Sequence, residues 1–197
     1  MFRSISTLLI TALLVAGGNA FAANPKVSME TSKGKVIIEL YPDKAPKTVE
    51  NFLRYVKEGK YEGTIFHRVI PGFMNQGGGF TPEFKKVDAF GPVMNEADNG
   101  LKNKRGAIAM ARTGDPHSAT NQFFVNTADN TFLDHTSKTT RGWGYCVFGS
   151  VVDGMDVMDR IAKLQTGPAP GGRFMKDVPQ ETVLIQKVSV VEESKNK

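Results

Sequence analysis

One arginine stands out as a residue placed to do chemistry. Arg68 lies in the run Phe66-His67-Arg68-Val69-Ile70-Pro71-Gly72-Phe73-Met74, otherwise almost wholly apolar. Strand alternation puts Phe66, Arg68 and Ile70 on one face and His67 and Val69 on the other. An unpaired guanidinium on such a surface is costly. Either a local acid pairs with it, or a polar neighbour such as Gln76 orients it and leaves it facing a pocket.

Other kinds of chemistry find little support. The three histidines, His67, His117 and His135, lack the spacing of a metal site, and a single cysteine adds nothing. No Gly-x-Ser-x-Gly elbow occurs. Gln76-Gly77-Gly78-Gly79 lacks the Lys-Ser/Thr and the helix that a phosphate loop needs, so its glycines read as a tight bend.

The elements that must position Arg68 are short. Val27–Thr31 and Lys35–Leu40 alternate about Ser32-Lys33-Gly34 and read as a hairpin. Pro46 suits the first position of a helix that buries Val49, Phe52, Leu53 and Val56 and stops at Gly59. Further strands are expected at Thr64–Val69, Phe73–Gln76, Gly106–Arg112, Gln122–Thr127, Tyr145–Val152 and Thr182–Val191. A second helix is expected over Asp153–Leu164, burying Val157, Met158, Ile161 and Leu164. Thr136–Gly144 reads as an exposed polar insert, Gly167–Gly172 as an irregular loop and Glu192–Lys197 as a solvated tail. About eight short strands and two helices argue for a mainly β fold, a closed eight-stranded antiparallel β-barrel with helices covering its ends.

The chain has 197 residues, room for one domain, and its 40% hydrophobic and 23% charged residues are ordinary for a globular protein. Its first residues differ in kind. Arg3 precedes the short apolar run Leu8–Gly18, and Ala20-Phe21-Ala22 offers small residues for cleavage, the layout of a secretory signal peptide over residues 1–22. The run is shorter than the roughly 20 residues of a membrane span. A single domain, 23–197, is therefore expected in the periplasm, or secreted, without a membrane anchor. Removing the leader takes away Arg3 and no acid, so the formal net charge falls from +5 to +4. Basic residues are interspersed with acids, which argues against nucleic acid. Cys146, the only cysteine, lies in the apolar run Tyr145–Phe148 and reads as a small buried hydrophobe.

Five segments then occur in an order similar to that of the cyclophilins: Phe66–Phe80 (FHRVIPGFMNQGGGF), Gly106–Arg112 (GAIAMAR), Gln122–Thr127 (QFFVNT), Phe132-Leu133-Asp134 and Val147-Phe148-Gly149. The resemblance runs from about Val27 to Val191, and Asn95-Glu96 with Gly100-Leu101 resembles the bacterial exported branch. It implies peptidyl-prolyl cis-trans isomerase activity, with proline-containing unfolded or partly folded polypeptides as partners. It also implies Arg68 as the catalytic arginine and Phe73, Met74, Phe124 and Leu133 as a proline-pocket wall. Gln76 and Gln122 would be polar partners, and the backbone of Ala111 and Arg112 an edge for the substrate chain. Phe132 stands where the eukaryotic pattern has tryptophan and can pack without an indole N–H. Tyr145 stands where many members carry histidine. Weak cyclosporin binding and a monomer are expected. X-Pro rotation breaks no bond, so no metal or cofactor is needed. The alternatives are a non-catalytic peptide-binding chaperone module using the same groove, or a basic surface-binding adhesion factor.

Overall fold

The computed structural model describes residues 24–169 and 175–192. The leader, Pro170 to Gly172 and the end of the polar tail lie outside the described residues.

The chain opens with β1 (Lys26–Thr31) and β2 (Gly34–Leu40), paired antiparallel with Thr31 opposite Gly34. The Thr31 hydroxyl donates to the Gly34 carbonyl (2.8 Å) and accepts from the Lys33 N–H (3.1 Å), which closes the turn. Val27, Met29, Val36 and Ile38 alternate into the core and fix the register.

Helix α1 (Pro46–Lys57) begins at its proline, and Val49, Phe52, Tyr55 and Val56 form its buried face. Ala45 has no side chain with which to cap the first turn. The Glu96 carboxylate caps it from a distant loop, accepting from the N–H of Lys47 (3.2 Å) and Thr48 (2.9 Å) and from the Thr48 hydroxyl (2.8 Å). An anion at a helix N-terminus satisfies orphan N–H groups and complements the dipole. Gly59 follows the helix with φ +65°, the left-handed exit expected of it.

Six more strands complete the main sheet: β3 (Phe66–Ile70), β4 (Met74–Gly77), β5 (Ala107–Met110), β6 (Phe123–Asn126), β7 (Val147–Asp153) and, last in the chain, β10 (Ile185–Val190). Helix α2 (Met155–Ala162) lies between β7 and the small hairpin β8 (Thr166–Gly167) and β9 (Val178–Pro179). α2 starts two residues later than expected, because Asp153 still pairs with Ile37 and Gly154 turns the chain with φ +82°. A Cβ on Gly154 would lie 2.3 Å from the Lys35 carbonyl oxygen, so the corner requires glycine.

The strand order is β10-β1-β2-β7-β5-β6-β4-β3, antiparallel throughout. The sheet curls into a half-barrel and does not close as expected. Its edges meet only beside β3 and β10, at the bridge Ile65–Leu184 and the bonds Phe66 N–H to Val183 O (3.0 Å) and Ile185 N–H to Thr64 O (2.8 Å). Beyond that point the Val69 N–H donates instead to Asp177 O (2.8 Å), so the segment entering β9 takes the edge that barrel closure would use.

Inside the curl, Phe52, Tyr61, Phe66, Phe123 and Phe148 pack with the aliphatic faces of the strands. Phe66 thus departs from the simple alternation that would place it beside Arg68. Pairing runs Phe66–Gly77 and then Arg68–Gln76, so His67 is the extra residue of a bulge and Phe66 turns to the core.

Candidate active site

Register builds the site. Across the outer face of four adjacent strands, Arg68 pairs with Gln76, Gln76 with Phe124, and Phe124 with Ala109. One step along, Ile70 pairs with Met74, at the start of β4. Because alternate residues of paired strands share a face, this row lies on the side of the sheet away from the main core.

The row borders a cavity of about 130 Å³ lined by Arg68, Phe73, Met74, Gln76, Ala111, Arg112, Phe124, Leu133 and Tyr145. Of the residues singled out in the sequence, Gln122 and Phe132 do not line it. Gln122 stands behind Gln76, whose amide donates to Gln122 Oε1 (2.9 Å), and Gln76 Oε1 accepts a long bond from Arg68 Nη1 (3.5 Å). Phe132 is 74% exposed and stacks on Phe73 with ring centroids 5.6 Å apart, forming an outer rim.

Each wall has a local cause. Phe73 follows Gly72, whose φ of +69° makes the turn between β3 and β4. Leu133 sits in a short helical turn, Thr131–Leu133, and Tyr145 N–H donates to its carbonyl (2.9 Å). Phe124 and Tyr145 meet edge to face at 5.7 Å. The Arg112 guanidinium lies over the Tyr145 ring at 4.6 Å and donates from Nε to Gly144 O (2.9 Å) and from Nη1 to Thr113 O (2.9 Å). The Arg112 side chain is thus tied to the site by more than its backbone.

The glycine run also has a job. A Cβ on Gly79 would fall 2.4 Å from Gln122 Cγ, so the missing side chain makes the room in which Gln122 sits. The bulged His67 lies on the same side of the structure, its ring edge-on to Phe80 at 4.7 Å. Burial pushes its pKa down to about 4, against opposing effects of hydrogen bonding with the Ile65 backbone and the Gln122 side chain. It is neutral at physiological pH. Cys146 is buried, and burial pushes its thiol up to about 11, leaving it unreactive at neutral pH.

Sequence reasoning missed a ladder of buried asparagines. Asn130 Nδ2 donates to Phe73 O (2.9 Å) and to Asn126 Oδ1 (2.7 Å), and Asn126 Nδ2 donates to Asn103 Oδ1 (3.3 Å). Asn103 in turn donates to the carbonyls of Leu133 (3.2 Å) and Tyr145 (3.3 Å). Three pocket residues are held through their backbones by this ladder. A buried amide inside the strand Gln122–Thr127 was the available signal, since asparagine is depleted in strands. Asp177, whose carboxylate reaches Arg68 Nε at 3.5 Å, had no local signal.

The polar insert carries Trp143, packed between His117 (4.8 Å) and His135 (5.2 Å) and away from the pocket. Among the described residues, no group of three or more His, Cys, Asp or Glu side chains is arranged to hold a metal ion, and no helix is long and apolar enough to cross a membrane.

A small cavity with Phe73, Met74, Phe124 and Leu133 in its walls and the Arg68 guanidinium at its edge can hold a compact ring and donate hydrogen bonds to an atom of it. Such a site is suited to binding a ligand and polarising it. The sequence profile of the family described as cyclophilin type peptidyl-prolyl cis-trans isomerase/CLD matches residues 26–190. The chain is 54% identical over 166 residues to peptidyl-prolyl cis-trans isomerase B of Escherichia coli, covering 84% of this chain and 99% of that protein. It is 48% identical to peptidyl-prolyl cis-trans isomerase A of Dickeya dadantii, covering 97% of this chain and 99% of that one. In fold it is similar to a cyclophilin type isomerase of Cryptosporidium parvum (TM-score 0.69, 24% identity, 86% of this chain and 99% of the other). The chain belongs to the cyclophilin family and is a peptidyl-prolyl cis-trans isomerase.

Proposed function

We propose that the enzyme accelerates X-Pro rotation in exported polypeptides, and so assists their folding, with Arg68 as the catalytic residue. The observation that carries this is the row Arg68–Gln76–Phe124, which sets a guanidinium beside the apolar wall of the cavity.

Amide resonance sets a barrier of about 18–20 kcal/mol to rotation. As the bond twists, the proline nitrogen becomes pyramidal and its lone pair localises. A guanidinium N–H aimed at that nitrogen binds the twisted state better than the planar one, as catalysis requires. Each tenfold acceleration needs about 1.4 kcal/mol of this preference. Phe73, Met74, Phe124 and Leu133 hold the ring while the preceding carbonyl swings. Exclusion of water by these walls strengthens the Arg68 contact. Ala111 and Arg112 present backbone to the substrate chain, and Tyr145 stacks beside it. A related parasite enzyme has been crystallised in the presence of the dipeptide Ala-Pro, which supports a proline-containing ligand.

Export rests on the leader-like residues 1–22. We place the mature monomer in the periplasm, with secretion as the other destination. Cyclosporin should bind weakly, because Phe132 is exposed at the rim and offers no N–H; a nanomolar Kd would contradict this. The test of the catalytic assignment is a protease-coupled assay on a cis-prolyl peptide with wild type and Arg68→Ala.

A further inference from the structure

The catalytic assignment leaves one contact of Arg68 unused. Asp177 places Oδ2 3.5 Å from Arg68 Nε, and both side chains are about half-buried, at 40% and 41% exposure. It comes from the segment entering β9, far along the chain. That segment is pinned independently of its carboxylate: the Val69 N–H donates to Asp177 O (2.8 Å), β9 pairs with β8, and Val178 is buried in a small cluster with Ile65, Phe84 and Ala169. The main chain of Asp177 therefore holds the edge of the sheet, and its side chain is left for Arg68.

We propose that Asp177 is a positioning residue for the isomerase reaction, restraining the Arg68 guanidinium through an ion pair at Nε. A guanidinium has one N–H on Nε and two on each Nη. Asp177 faces Nε, and Gln76 Oε1 takes one hydrogen of Nη1. The remaining hydrogens are those free to reach a substrate. An arginine held at one point can swing about that point; two partners on different nitrogens define its plane. The carboxylate also keeps the charge close to the cavity in a chain that has many rotamers to sample in its absence. Each contact is long, at 3.5 Å, so neither alone holds the side chain firmly and the two together restrict it.

This inference rests on Arg68 being catalytic, and its test separates the two. kcat and KM are measured on a cis-prolyl peptide for wild type, Arg68→Ala, Asp177→Ala, Asp177→Asn and Asp177→Glu, and Asp177→Ala is repeated on Arg68→Ala, which leaves the carboxylate no cation to hold. Asp177→Ala and Asp177→Asn are expected to lower kcat by about 3- to 5-fold, the scale of a partly exposed ion pair, with KM and Tm essentially unchanged. Asp177→Glu should recover part of the loss. On Arg68→Ala the further effect of Asp177→Ala should disappear. Unchanged kcat in Asp177→Ala, alongside a large loss in Arg68→Ala, would overturn the positioning role and leave the catalytic assignment standing. An equal loss on both backgrounds would show that Asp177 acts through the fold, and would also overturn it. Wild-type activity in Arg68→Ala would remove the catalytic reading itself.

Discussion

The two faces of strands β3, β4, β6 and β5 differ in what they are built to tolerate. The inner face carries Val69, Asn75, Val125 and Ile108, one register row that is fully buried. The outer face, one residue along, carries Arg68, Gln76, Phe124 and Ala109 and opens on the cavity. Val69, Val125 and Ile108 serve the inner face by filling space, and the one polar member, Asn75, donates from its amide to the Met158 carbonyl (2.8 Å). On the outer face Arg68 and Gln76, with Gln122 behind them, form a hydrogen-bonded chain in which the donor and acceptor identity of each group matters. The pleat of these four strands thus separates core from cavity by the direction in which each Cβ points.

The largest expected effect breaks the inner side. Phe123→Ala removes a fully buried ring that meets Phe52, Tyr61 and Phe66 edge to face. It should cost about 3–5 kcal/mol in denaturant unfolding, while the activity of the molecules that remain folded stays close to wild type.

The next concerns His67, which lies between the two faces. Its pKa is about 4 in the fold and about 6.5 in an unfolded chain. As pH falls below about 6.5 the unfolded chain takes up the proton first, so stability declines until about pH 4, by about 3 kcal/mol in total. Above pH 6.5 the group contributes no pH dependence. Comparing unfolding of wild type and His67→Gln across this range should show a shallower decline for the variant; parallel curves would contradict the burial argument.

The smallest effect sharpens the outer side. Gly79→Ala displaces Gln122, which holds Gln76. Activity should fall by about 5- to 10-fold, roughly the loss of one hydrogen bond in this hydrogen-bonded chain, with little change in Tm.

Local patterns made much of this legible in the chain. The hairpin Val27–Leu40 follows from alternation, α1 from Pro46 and the spacing of Val49, Phe52 and Val56, and the pocket residues from motifs that resemble a known family. What escaped depended on contacts between distant segments. The bulge at His67 moved Phe66 to the core, and the claim of the β9 segment on Val69 kept the sheet from closing. Glu96 caps α1 from another loop, and Asp177 reaches Arg68 from beyond α2. None of these has a periodicity, because none is set by its own neighbours in the chain. Of the two arrangements open for the arginine, Gln76 does meet Nη1, while the acid at Nε is not a local one but the distant Asp177.

The central claim is that one guanidinium on the outer face carries the acceleration. The direct measurement is kcat/KM of Arg68→Ala on a cis-prolyl peptide, with folding checked by Tm. Loss of about 100-fold or more, the scale of removing one preorganised donor, with Tm near wild type, is the predicted result. A folded Arg68→Ala enzyme with activity within about two-fold of wild type, less than about 0.4 kcal/mol of transition-state stabilisation, would contradict it.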